Sequence, residues 1–445
     1  MSKSITNKVI TNLNHQITWL ENNRSNLDLI SNKKDFSRTP RKLSFKEDIK
    51  LLLSFGSKSI RKELIDYYGI GNDNVSVSAL CQSRNKIKQE AFMELLKRIN
   101  SKYPLEKTYK GFHLLAVDGS DICIDTDIDD VDTLLSNVNK PANLFHINGL
   151  YDVLEDRFID CVIQNYRQAN EQDALCEMAN RNSIDNAIYI ADRGYEAYNV
   201  LYHLIEDKRN FIIRFKDITS KGGVLYASRQ ILPSKGEFDK NIDIILTYKQ
   251  NNEVKNNTHL YRKLHRDHKH DFLDDKHEYY EMKFRVVRFK IPETNQYECI
   301  VTNIDSNQLS VNDIKYIYNL RWNIEVSYKH LKYALNMSAF HSKKRNYIKQ
   351  EILAKMIMYN IDMIIINKIK ENKIAKNEER KYEYTINIST ASYIINNLLS
   401  SFKKGGIPPN IDEYLANNIL PIKPNRKYKR IVRSHPFVSF NYRFN

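Results

Sequence analysis

FHLLAVDGS, residues 112–120, is where the chain changes character. Phe112-His113-Leu114-Leu115-Ala116-Val117-Asp118 is a short apolar run of the kind that forms a buried strand. Downstream of it, Asn143 to Leu154 and Arg157 to Asn165 read as two more strands, joined by a turn at Glu155-Asp156. A helix over Glu171 to Ser183 comes next, then a strand from Ala187 to Ala191, a helix over Ala197 to Lys208 and a strand from Phe211 to Phe215. Three strands followed by alternating helix and strand make an α/β order with a mixed sheet, as in ribonuclease-H-like cores.

Upstream, residues 1–110 read as a helical, basic domain that suits DNA binding, or as an ordinary helical bundle with a solvated basic face. Ser44-Phe45-Lys46-Glu47 fits a capping box, and the apolar stripe Leu80, Ile87, Phe92, Leu95, Ile99 predicts one helix from about Ser78 to Ile99. The first part of the α/β core then spans 111–217. Over 218–297 the helical period disappears and short β-like runs alternate with Gly222-Gly223, Pro233 and Asn251-Asn252, which predicts a β-rich insertion. The core resumes over 298–372, where Ser310-x-x-Asp313 caps a long helix expected to reach Leu335. Residues 373–445 form a basic C-terminal region; from Phe402 onward nine basic residues face two acidic ones.

The whole chain has 445 residues, with 69 Lys and Arg against 54 Asp and Glu, a formal charge of +15. That excess suggests a polyanionic partner, nucleic acid first. No apolar stretch approaches the ~20 residues that span a bilayer, and the N-terminus lacks the apolar run of a secretory signal. The expectation is a cytoplasmic protein with no membrane partner. Five scattered cysteines without a C-x-x-C pair argue against a disulfide framework or a structural zinc site.

Two predicted strands end in aspartate at a turn, AVDGS at Asp118 and IADRG at Asp192. Carboxylates at the ends of buried strands are held rigidly where Mg²⁺, a hard cation, can use them. Taken singly, each is equally a turn-forming Asp. In the helix YIYNLRWNIEVSYKHLKYAL, Tyr318, Arg321, Glu325, Lys329 and Lys332 fall within an ~80° face if each residue turns ~100°. Such a face is either a solvated salt-bridge stripe or a carboxylate surrounded by phosphate-holding cations.

Tyr318-x2-Arg321-x3-Glu325-x6-Lys332, together with Asp118-Gly119-Ser120 and Asp192-Arg193-Gly194-Tyr195, resembles the Y-R-E-K signature and the two aspartate motifs of the DDE transposases of insertion sequence family 4. The resemblance implies a ribonuclease-H-like core interrupted by a β insertion. Catalytic Asp118, Asp192 and Glu325 would hold two Mg²⁺ ions, with Mn²⁺ able to substitute. Arg193, Arg214, Tyr318, Arg321, Lys329 and Lys332 would contact DNA. It further implies binding to double-stranded DNA at terminal inverted repeats and in the target, transfer of 3′ ends, a homodimer in the synaptic complex, and a bacterial-type location on the nucleoid. The insertion has no tryptophan, so Tyr226, Tyr248, Tyr261, Tyr279, Tyr280, Phe284 or Tyr297 would have to stack a flipped base. The alternatives are a ribonuclease-H-fold nuclease and a non-catalytic DNA-binding derivative.

Other signals are set aside. The seven aspartates between Asp118 and Asp132 lack the Gly and Glu of an EF-hand loop and read as solvated loop. His265, His268, His270 and His277 are irregularly spaced among charges and read as exposed. Trp322 reads as a core anchor for the catalytic helix.

Overall fold

The computed structural model describes residues 4–38, 42–71, 74–135, 141–268, 270–373, 382–401 and 407–422. The chain starts with the helices α1 (Ile5–Asn23), α2 (Phe45–Ser54), α3 (Ile60–Tyr68), α4 (Val77–Arg84) and α5 (Glu90–Lys102). Ser44 caps α2 as expected, its hydroxyl accepting from the Glu47 amide at 3.2 Å. The single helix expected from Ser78 to Ile99 is two helices. Ile87 leaves the helical path to form a backbone bridge with Ile30, and the Arg84 side chain is drawn into a buried cluster. No glycine or proline marks that break, so periodicity runs through it.

The strands are β1 (His113–Ile124), β2 (Leu134–Leu135), β3 (Ala142–Asp152), β4 (Arg157–Asn165), β5 (Ala187–Ala191), β6 (Asn210–Phe215), β7 (Phe238–Thr247), β8 (Tyr261–Lys263), β9 (Tyr279–Lys290) and β10 (Tyr297–Thr302). They form one sheet in the order β2-β3-β1-β5-β6-β10-β9-β7-β8, with β4 on the outer edge of β3. The portion β4-β3-β1-β5-β6 is the ribonuclease-H-like order. β3 is antiparallel to β1 and β4, while β5 runs parallel to both β1 and β6. The helices α6 (Glu171–Arg181) and α7 (Tyr198–Glu206) make the crossovers. The insertion carries β7, β8 and β9 together with the short helix α8 (Asn252–Asn256), and its strands extend this sheet through β10.

Strand parity decides what faces what. In β1 and β5, Leu114, Ala116, Ile188 and Ile190 belong to one apolar cluster, and Leu115, Val117, Tyr189 and Ala191 to a second on the other face. Both faces are covered, so the strands read as continuous apolar runs. Full burial of each leucine, isoleucine or valine among them contributes on the order of 1.5–3 kcal/mol, and a slip by one residue would exchange the two faces. Register is therefore strongly specified.

The first face is covered by α9 (Val311–Leu320), α10 (Trp322–Lys329) and the long α11 (Arg345–Lys373), with α1, α2 and α5 packed on α11. Two further helices, α12 (Ile388–Ser401) and α13 (Ile411–Asn417), complete this side, and the strands β11 (Glu383–Ile386) and β12 (Ile419–Ile422) pair with each other. The N-terminal helices thus share one core with the sheet. The basic segment after Ile422 lies outside the described residues.

Candidate active site

The last pairs between β1 and β5 are Leu115 with Tyr189 and Ala116 with Ile190. Asp118 and Asp192 each lie two residues further on, so the register brings the two aspartates side by side on the face that α10 covers. Asp192 follows the end of β5, as expected, and its Oδ1 accepts from the Gly194 amide at 2.7 Å. Asp118 departs from expectation. β1 continues through it to Ile124, so it sits within a strand and not at a turn. Asp-Gly signals a turn only when glycine is needed for its torsions; here Gly119 pairs with Asn148 inside the ladder.

Glu325 comes from α10, which lies across β1. The Tyr328 hydroxyl donates to the Asp118 carbonyl at 3.0 Å and contacts the Ile147 carbonyl at 3.3 Å, pinning the helix one turn beyond Glu325. Gly149, which pairs with Asp118, makes room: a Cβ there would meet the Tyr328 hydroxyl at 2.7 Å. Arg321, only 5% exposed, donates to Glu325 Oε1 at 3.0 Å and lies 3.9 Å from Asp118 Oδ1. One guanidinium therefore stands between two of the three carboxylates.

That charge is not enough. Burial raises the Asp118 carboxyl, Arg321 pulls it back, and Glu325, Asp192 and Glu171 push it up again, to about 7. Burial is the largest of these effects, and Arg321 offsets only part of it. Among the described residues, no three of His, Cys, Asp and Glu converge closely enough to share one ion. The donor set still fits divalent cations. Mg²⁺ commonly takes one or two carboxylates and leaves its other positions to water and phosphate, and Asp118, Asp192 and Glu325 supply hard oxygens for that.

The expected continuous helix to Leu335 is interrupted twice, at Arg321 and by a π-helical turn over His330–Ala334. The wide turn spoils the ideal-helix arithmetic beyond Lys329. Lys332 turns toward β1, where its ammonium donates to Ser120 Oγ at 2.7 Å and to the Asp121 carbonyl at 2.9 Å. Tyr318 is buried, while Arg193 and Lys329 are exposed. Arg214, on β6, pairs with Glu298 at 3.1 Å. Trp322 is 52% exposed and not a core anchor, because Ile324 and Tyr328 take the inward positions of α10. Of the insertion's seven candidate aromatics Tyr279 is exposed and Phe284 buried.

The acidic loop is not simply solvated: Asp130 binds Arg345 at 2.6 Å and Asp125 binds Lys343 at 3.2 Å, fastening it to the start of α11. In the insertion, His270 is hydrogen-bonded to the Tyr248 hydroxyl and His277 to Asp274. A cleft of about 840 Å³, lined in part by Met93, Tyr103, His113 and Asp185, opens at the opposite end of β1 and β5 from the carboxylates.

Sequence reasoning missed Glu171, at the first turn of α6. Its carboxylate lies against both glycines of the aspartate motifs, at 2.3 Å from where a Cβ on Gly119 would be and at 3.1 Å from one on Gly194. Nothing in its local sequence separates it from an ordinary first-turn glutamate.

A search of curated proteins returned no match. Among solved structures, the chain resembles a cryo-EM structure of a piggyBac transposase synaptic complex with hairpin DNA, at 10% identity and a TM-score of 0.44, over 93% of this chain and 84% of that one. Residues 114–361, more than half of the chain, match the family model of the transposase DDE domain. This segment holds both aspartates, Glu325 and the strands and helices that carry them, and the chain belongs to the transposase DDE domain family.

Proposed function

We propose that the protein is an insertion-sequence transposase of the family 4, Y-R-E-K type. It binds terminal inverted repeats in double-stranded DNA, cuts at the element ends and transfers the 3′ ends to target DNA. The observation that carries this reading is Asp118 in β1 beside Asp192 just past the end of the parallel β5, with Glu325 held over Asp118 through Arg321. Asp118, Asp192 and Glu325 would hold two Mg²⁺ or Mn²⁺ ions. When bound, these supply Lewis-acid activation of the attacking oxygen and charge stabilisation at the leaving oxygen of an in-line displacement.

The chain's own residues do the rest. Tyr328 fixes the helix against the Asp118 strand, and Arg321 orients Glu325 while keeping two carboxylates close. Arg193, Arg214 and Lys329 hold backbone phosphates, which gives affinity without reading sequence. Tyr318, Arg321 and Lys332, being more enclosed, reach only a phosphate drawn into the carboxylate cluster itself. We divide the chain into a DNA-binding region over 1–110, a core over 111–217 and 298–372, an insertion over 218–297 and a basic region over 373–445. A homodimer on paired DNA ends, acting in the cytoplasm, completes the reading.

The test uses the full chain, Mg²⁺ and a labelled duplex carrying the inverted repeat that flanks the gene. Wild type should nick the repeat end and give joined products with a second duplex, while Glu325→Ala binds equally and does neither. Equal cutting by both proteins contradicts the reading. Cutting without joined products would instead indicate a nuclease.

A further inference from the structure

The candidate site has a back wall on the other face of the sheet. Parity places Asp118 and Ser120 toward α10, and Gly119 and Asp121 toward α6. On that second face His146, paired with Asp121 in the β1 and β3 ladder, puts Nδ1 2.7 Å from Asp121 Oδ1. Its Nε2 lies 3.2 Å from Glu171 Oε1, an ion-pair contact without in-line hydrogen-bond geometry. A second tether comes from the neighbouring residue, since the Gln172 amide donates to the Gly194 carbonyl at 3.0 Å. The start of α6 is thus tied to β3 through Glu171 and His146, and to the Asp192 turn through the Gln172 side chain.

Both approaches depend on glycine. A Cβ on Gly119 would lie 2.3 Å from Glu171 Oε1 and 2.5 Å from His146 Nε2, closer than atoms can pack. The Cβ position of Gly194 is 3.1 Å from both Asp192 Oδ1 and Glu171 Oε2. Asp192 and Glu171 therefore face each other across one small gap. Next to Gly194 in sequence, Tyr195 is fully buried and its hydroxyl has no hydrogen-bond partner among the described residues. Burial holds that hydroxyl well above the ordinary tyrosine range, and the Glu171, Asp118 and Asp192 carboxylates push the same way. A buried hydroxyl left unsatisfied is costly, and a bound ion with its water shell would satisfy it.

We propose that Glu171 is a fourth carboxylate of the metal site, sharing a divalent cation with Asp192 across the Gly194 gap, with His146 and Asp121 as its positioning pair. This rests on the reading of Asp192 as a metal ligand. The site would then carry carboxylates from both faces of the sheet, and a cation bound from the α6 side would be held before DNA arrives.

The test is a Mn²⁺ titration of the full chain without DNA, read by the loss of the free-ion electron paramagnetic resonance signal. Wild type, Glu171→Gln and Asp192→Asn are compared after each is shown by circular dichroism to be folded. Both variants should weaken Mn²⁺ binding by roughly tenfold or more, the scale found when groups around a metal are removed. Weaker binding for Asp192→Asn with an unchanged Glu171→Gln overturns this inference and spares the reading of Asp192. Unchanged binding in both overturns the two together. If Glu171→Gln does not fold, Glu171→Asp, which withdraws the charge by one methylene, must weaken binding likewise; an unchanged isotherm there also overturns the inference.

Discussion

Two clusters of charge among the described residues, one around α11 and one around β1, behave in opposite ways. Around α11, Glu351 accepts from Arg84 at 3.1 Å and contacts His341 at 3.0 Å, while Arg84 also bonds Gln350 and the Tyr347 carbonyl. Burial would raise the Glu351 carboxyl, but His341 and Arg84 outweigh it and hold it down at about 2. Around β1 burial raises the Asp118 carboxyl, Arg321 offsets part of that, and the neighbouring carboxylates Glu325, Asp192 and Glu171 add to it, so that it rises to about 7. The first cluster is complete within the chain and joins the N-terminal helices to the core. In the second, burial and neighbouring carboxylates outweigh Arg321 at Asp118. Charge left uncompensated at a site that could have been paired is a mark of a ligand still to come.

The contrast predicts that substitutions in the two clusters damage different properties. Glu325→Gln should lower cleavage on the order of a thousandfold or more, as loss of a central catalytic group does, with little change in the urea midpoint. Arg84→Met should cost ~3–5 kcal/mol in the same urea experiment, because it leaves the buried Glu351 carboxylate with His341 but without its guanidinium partner. A large stability loss in Glu325→Gln would erase the distinction.

The pH dependence should run in opposite directions. Asp118 keeps its proton in the folded state up to about pH 7, whereas an unfolded aspartate releases it near pH ~4. Its ionisation therefore weakens the metal-free fold as pH rises through that window. Asp118→Asn, which mimics the protonated form, should match wild type near pH 4 in EDTA and become the more stable of the two toward pH 7. Glu351 has the opposite sign. Its lowered value stabilises the fold above pH ~4.3, the unfolded glutamate value, and that stability is lost as pH falls toward about 2. The deficit of Glu351→Gln should accordingly be full at neutral pH and shrink in acid. Urea melts across pH check both, and parallel slopes would contradict the contrast.

Smaller effects sharpen it. Gly119→Ala should cost ~1–3 kcal/mol, the range for overpacking, because its methyl would have to displace Glu171 or His146. Trp322→Ala should shift stability by no more than about 0.5 kcal/mol, since the indole is 52% exposed. A loss of several kcal/mol there would restore it as a core anchor.

What the sequence made legible follows from what is local. The apolar runs at 112–118, 187–191 and 211–215 mark strands covered on both faces, and a serine before a first turn marks Ser44 and Ser310 as caps. Asp192 could be placed because it follows its strand directly. Asp118 was identified by its motif but misplaced at a turn, because the need for glycine at 119 comes from Glu171 and His146, distant in sequence. Glu171 itself was invisible for the same reason. Trp322 was misjudged because Ile324 and Tyr328 compete for the inward face of α10. The single helix assumed across Arg84 fails because its break is enforced by Ile30 and by the buried partners on α11. The π-helical turn that carries Lys332 is announced by no residue type.

The central claim is that the carboxylates around β1 form a site completed by divalent cations. Its most direct measurement is an anomalous difference map from crystals of the full chain soaked in Mn²⁺. The account predicts peaks in contact with Asp118, with Asp192 and with Glu325, and none beside Glu351. Peaks absent from these three carboxylates in crystals that bind Mn²⁺ elsewhere would contradict it.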